Sequence, residues 1–131
     1  MRQAIYDHID SISKGTFTLT NELPWDSSGT PLYLKNIKRI YVNTDQVQEE
    51  LLYATLNGVC INNEISTVSV YFACDAKQLP TNYETLVSSI RQAKNSADIT
   101  GVSRRECNVS TSFQSDVLIT EFEFRFINVI N

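Results

Sequence analysis

The last quarter of the chain constrains the fold more than any other part of it. Arg104–Phe113 and Leu118–Ile127 both alternate apolar and polar residues, and a turn at Gln114–Val117 folds one run onto the other. In that register Phe113 faces Leu118, Thr111 faces Thr120, Val109 faces Phe122 and Cys107 faces Phe124. On the opposite side Glu106 lies across from Arg125, an opposite-charge pair that helps to fix the pairing. One side of the ribbon is apolar and the other polar or charged, and a slip of one residue would exchange them. The apolar side then needs a covering layer.

The rest of the chain supplies that layer. Ala4, Ile5, Ile9 and Ile12 recur at helical spacing, so residues 2–13 read as a helix stopped by Lys14-Gly15. Thr16–Leu23 alternates as a half-buried strand, with Phe17, Leu19 and Leu23 on one side. Pro24–Pro31 is a loop bounded by prolines, and Leu32–Val42 is extended again, with Ile40 and Val42 on one side. Residues 44–57 allow two readings. Thr44 or Asp45 could cap a helix carrying Val47, Leu51 and Ala54, or Asn57-Gly58 could turn a hairpin between Leu51–Leu56 and Val59–Ile61. The alternation of Leu52, Ala54 and Leu56 favours extended structure.

Glu64–Cys74 is a strand, with Val68, Val70 and Phe72 on one face and Thr67, Ser69 and Tyr71 on the other. After Pro80 comes the clearest helix, with Thr81 and Glu84 as a capping box. Tyr83, Leu86, Val87, Ile90 and Ala93 form its apolar stripe, which ends near Lys94-Asn95. Ser96–Ser103 is a loop. The order predicts one α+β domain over residues 1–131: a largely antiparallel sheet, two helices packed on one face and a long C-terminal β-hairpin.

Composition narrows the function classes. The 131 residues are 42% apolar and 20% charged, which is globular. Fifteen acids against eleven Lys and Arg give a net charge of −4, opposite in sign to the surplus expected of a free-standing DNA-binding protein. Residues 1–15 mix Arg2, Asp7 and Asp10 with apolar positions, unlike a signal peptide, and no window approaches a membrane span. Cys60, Cys74 and Cys107 are odd in number and lack metal-ligand spacing, which points to free thiols in a reducing cytoplasm. The sequon Asn108-Val109-Ser110 falls inside a strand and is not expected to be glycosylated.

Candidate chemistry is sparse. His8 is the one imidazole, on an amphipathic helix, where a surface role is expected. Glu49-Glu50 and Glu121/Glu123 are paired carboxylates, but the second pair shares a strand face expected to be solvent-exposed, and a raised pKa needs burial. There is no phosphate-cradling glycine fingerprint. No enzyme activity, metal or cofactor is expected. Lys35, Lys38 and Arg39 could join Arg104-Arg105 in a basic patch if their strands were neighbours; solvated edges are the simpler expectation.

Several runs carry a family resemblance. They are Val68-Ser-Val-Tyr-Phe72 leading into Asp75-Ala76-Lys77, the helix of Asn82–Lys94, Ile99-Thr-Gly-Val102, Arg104-Arg-Glu-Cys107 and Thr120-Glu-Phe-Glu-Phe-Arg-Phe126. With this element order the chain resembles the tail terminator and tail completion (neck) proteins of tailed bacteriophages. The resemblance implies a virion protein assembled in the host cytoplasm, a ring of copies (usually a hexamer) at the head-proximal end of the tail tube. Its implied partners are further copies of itself, the tail tube protein and neck or head-connector proteins; DNA would pass through the lumen without specific binding, and no membrane would be involved. For such a ring, Trp25 at the start of the proline-bounded loop is a candidate interface residue. Asp45, Glu49 and Glu50 are candidate lumen-facing acids, since carboxylates repel passing phosphates.

Overall fold

The computed structural model describes residues 1–15, 17–20, 38–43, 46–54, 58, 60–77, 79–114 and 116–130. The expected loop at 24–31 with Trp25, most of the extended run before Lys38, and Asp45 lie outside the described residues. The elements are α1 (Arg2–Ser11), β1 (Thr18–Thr20), β2 (Lys38–Val42), β3 (Gln46–Ala54) and β4 (Cys60–Asp75). They are followed by α2 (Tyr83–Arg91), a 3₁₀ turn (Gln92–Asn95), β5 (Arg104–Gln114) and β6 (Val117–Ile130).

The fold is α+β. Six strands among the described residues form one sheet in the order β1-β2-β4-β6-β5, with β3 also on β4. Every pairing is antiparallel except β1 with β2. The terminal hairpin has the register its alternation predicts: Phe113 opposite Leu118, Val109 opposite Phe122, Cys107 opposite Phe124 and Glu106 opposite Arg125.

The core forms where both helices meet one face of this sheet. Ile5 and Ile9 from α1 and Leu86 and Ile90 from α2 join Val68, Val70 and Phe72 of β4 and Phe122, Phe124 and Phe126 of β6 in one buried cluster. Thr120 is a buried polar residue on that face, and its hydroxyl is hydrogen-bonded to the Tyr83 hydroxyl at 2.7 Å, so neither is left unsatisfied. The opposite face is less uniformly polar than the alternation implies: Ala73, Val117 and Ile119 are buried there, with Tyr71 packed against them.

Each helix is anchored by side chains that reach its backbone or its neighbour's. Lys14 Nζ donates to the carbonyls of Ile9, Asp10 and Ile12 at 2.8–3.2 Å, which satisfies the open C-terminal end of α1 and complements its dipole. Arg2 donates from Nε and Nη2 to the Val42 carbonyl, tying α1 to the end of β2. The capping box expected at Thr81 and Glu84 does not form. Asn82 is the N-cap of α2, no side-chain bond closes it, and the Leu86 amide bonds the Asn82 carbonyl instead.

The two-way reading of 44–57 resolves to extended structure for 46–54. β3 folds back on β4 as a hairpin, and Gly58 in the connection has φ +79°, a left-handed conformation that glycine adopts without strain. A β-bulge interrupts the ladder between Leu51 and Tyr53. Along its outer edge β4 therefore has two successive partners, β3 against Cys60–Thr67 and β2 against Val70–Cys74. The Asn43 amide donates to the Ser69 carbonyl at 2.8 Å, where one partner gives way to the other.

Candidate functional site

Candidate chemistry collects around neither the imidazole nor the thiols. His8 Nε2 lies 2.9 Å from the Ser89 carbonyl, and because a carbonyl only accepts, Nε2 carries the proton. The ring thus bridges α1 to α2, a structural task rather than the surface position expected. Cys74 is buried in the core, where desolvation, reinforced by the neighbouring Asp75 carboxylate, pushes its thiol up to about 11. Burial also raises the Cys107 thiol, against the opposing pull of Arg91 and Lys94. Thiols that resist ionisation are poor nucleophiles.

The Cys74 shift has a consequence for stability. An unfolded thiol releases its proton near pH 8.5–9, whereas the folded one holds it to about 11. The folded state binds more protons in that window, so stability is expected to be level below about pH 8.5 and to fall as pH rises towards 11. Urea titrations at stepped pH would measure this. Cys74→Val should flatten part of the decline, and an unchanged slope would assign the loss elsewhere.

Among the described residues the basic positions do not form a joint patch; Lys35 lies outside those residues. β2, which carries Arg39, and β5, which carries Arg104 and Arg105, are separated by β4 and β6. They also sit at opposite ends of the ladder: Arg39 is level with Ala73 and Ile119, and Arg104 with Ile127 and Ile65. Arg105 is committed within the chain. Its Nη1 donates to the Lys94 and Ser96 carbonyls at 3.0 Å each, and its Nη2 to the Ile99 carbonyl at 2.5 Å. Glu106 accepts from Arg104 at 2.7 Å and from Arg125 at 3.4 Å. The Arg105 clamp was not foreseen; its signal is its even spacing with Cys107 and Val109, which puts it on the helix side of the strand.

Of the candidate lumen acids, Glu49 is exposed on β3, directly opposite Glu64 of β4, and Glu50 is the next strand position, opposite Asn63. Two carboxylates facing each other across a ladder are mildly destabilising, which disfavours a purely structural reason for both. Asp45 and Trp25 lie outside the described residues. Glu121 and Glu123 share one face of β6 as expected, but they are half-buried rather than solvent-exposed. Burial raises the Tyr71 hydroxyl, and the nearby Glu121 carboxylate adds to that rise.

The described surface is distinguished instead by its outer strands. Val47 on β3 is 63% exposed, and on β5 Val109 is 38% and Phe113 70% exposed. By register all three point to the side of the sheet that carries the helices, yet the helices do not reach them. The apolar side of the terminal hairpin is thus covered only in part. Among the described residues no group of three or more His, Cys, Asp or Glu could hold a metal ion. In comparison with known proteins, the chain matches no family model, and no curated protein matches it significantly.

Proposed function

We propose that the protein is a non-enzymatic virion subunit of the tail-terminator kind, which forms a ring at the head-proximal end of a phage tail tube, stops tube growth and joins tail to head. One observation carries this reading: the β3–β4 hairpin, with the end of β6 paired beside it, carries the sheet past Arg104 at the end of β5 and past the helix-covered core as a short arm. β4 spans sixteen residues, about 50 Å at strand spacing, and its buried positions begin at Ile65, with Ser66 opposite the core residue Phe126. Gln46–Glu49 on β3 are exposed, Val47 among them, and the strand continues from Glu49 along the arm opposite Glu64–Cys60. In a closed ring, head-to-tail contacts join two different surfaces of each copy, and an extended sheet end with exposed outer-strand positions supplies one such surface. The acids at Glu49 and Glu50 suit an arm that borders a DNA passage.

Negative-stain electron microscopy of the purified protein, alone and with tail tubes, tests the reading. Rings of one size, or caps at tube ends, are expected; monomers under both conditions would overturn it. Glu49→Lys combined with Glu50→Lys should leave folding and rings intact while impairing DNA delivery by reconstituted particles. Normal delivery would remove the acids from the channel wall.

A further inference from the structure

We infer that two copies of the protein join through β5, their strands running antiparallel about a two-fold axis at Val109. Among the described residues β5 is hydrogen-bonded to β6 alone, so its outer edge is open, and all of Asn108–Phe113 is exposed. Open edges are ordinarily blunted by charges, proline or bulges. β5 has none of these from Asn108 to Gln114: the run is uncharged, contains no proline, and its register against β6 is unbroken over eleven residues. β3 differs on both counts, with a bulge at Leu51/Tyr53 and acids at Glu49 and Glu50.

The sequence of β5 selects a second copy as the occupant. Its charges, Arg104, Arg105 and Glu106, all lie at one end. Parallel alignment in register would stack each charge on its twin. Antiparallel alignment centred on Val109 pairs all eleven residues and sets every charge against an uncharged partner: Arg104 on Gln114, Glu106 on Ser112 and Arg105 on Phe113. The last pair is the most specific. Three carbonyls hold the Arg105 guanidinium in place, and a flat, fixed cation is a good seat for an aromatic ring. Phe113, 70% exposed in the single chain, would meet it twice in the dimer, once for each copy. This contact goes beyond the ring reading, because a two-fold interface closes on itself and neither builds nor requires a ring.

Sedimentation and cross-linking test it. The wild type is expected to dimerise, and Val109→Lys, which opposes two ammonium groups on the axis, should weaken the dimer by about a hundredfold or more. Val47→Lys, on the other outer strand, should leave it unchanged. Directly opposed residues in an antiparallel pair have Cα atoms about 4.5–5.5 Å apart, within disulfide range. Val109→Cys in a Cys107→Ser background should therefore give a disulfide-linked dimer under mild oxidation, and that result decides the matter if Val109→Lys fails to fold. A monomeric wild type, a dimer untouched by Val109→Lys, or no cross-link would overturn the inference. Rings formed by a wild type that gives neither a β5 dimer nor the Val109→Cys cross-link would overturn it and leave the ring reading standing; a cross-linkable dimer that never forms rings would do the reverse.

Discussion

Replacing Phe124 by alanine is expected to lower the unfolding free energy by about 3–5 kcal/mol, while Glu123→Ala changes it by about half a kcal/mol or less. The two residues are adjacent on β6 but face opposite sides. Phe124 is fully buried, set between Cys107 on β5 and Val68 on β4, with its ring 6.5 Å from that of Phe122. Truncation leaves a cavity at the centre of the cluster, and the paired strands on both sides prevent it from collapsing. Glu123 is half-buried between Ser69 and Asn108 and contributes no packing of that kind. Guanidinium denaturation of both variants would measure the difference, and similar losses would mean that the ladder is displaced by one residue.

Arg105→Ala is the second large effect. The guanidinium satisfies the carbonyls of Lys94, Ser96 and Ile99, which close the turn between the 3₁₀ segment and β5. Removing it leaves three partly buried acceptors without their donor, and hydrogen bonds to charged groups are worth about 1.5–3 kcal/mol each at most. Water reaches part of this site, so a net loss of about 2–3 kcal/mol is expected. Arg105→Lys should recover less than half of it, because an ammonium cannot span the three acceptors as a planar fork does. Hydrogen exchange should quicken across 96–103 in both variants. A lysine variant as stable as the wild type would show that charge, not shape, is what the turn needs.

The sequence made the terminal hairpin legible because period-two alternation on both strands and the Glu106–Arg125 pair each specify the same register. The helices were legible for a similar reason: Ile5, Ile9, Leu86 and Ile90 can share one buried side only at helical spacing. The capping box misled because Thr81 and Asn82 are both competent caps, and one residue's shift in where α2 begins decides between them. Between 44 and 57, short-range patterns of both kinds coexist, and long-range pairing with β4 decides the outcome. What no local pattern encodes is which side chains the helical layer fails to reach. Val109 and Phe113 alternate like core residues, yet their exposure depends on how far α2 extends over the sheet. The Arg105 clamp is hidden likewise, since its acceptors are backbone atoms of a loop whose path the side chains do not announce. The candidate lumen acids were legible as charge but not as position; only the pairing of β3 with β4 places Glu49 and Glu50 on an arm.

The change of partner along β4 has a mechanical consequence. β4 and β6 run antiparallel through fourteen paired residues, from Asn62 opposite Ile130 to Asp75 opposite Val117, joining the arm and the helix-covered region without a hinge. Ladder hydrogen bonds lie perpendicular to the strands. A pull directed along the arm therefore loads them sideways and all together, whereas a pull across the sheet would open them one at a time. The molecule is stiff in the direction of its length and weak across it, and force applied at the tip of the arm is delivered into the phenylalanine core rather than absorbed at a joint.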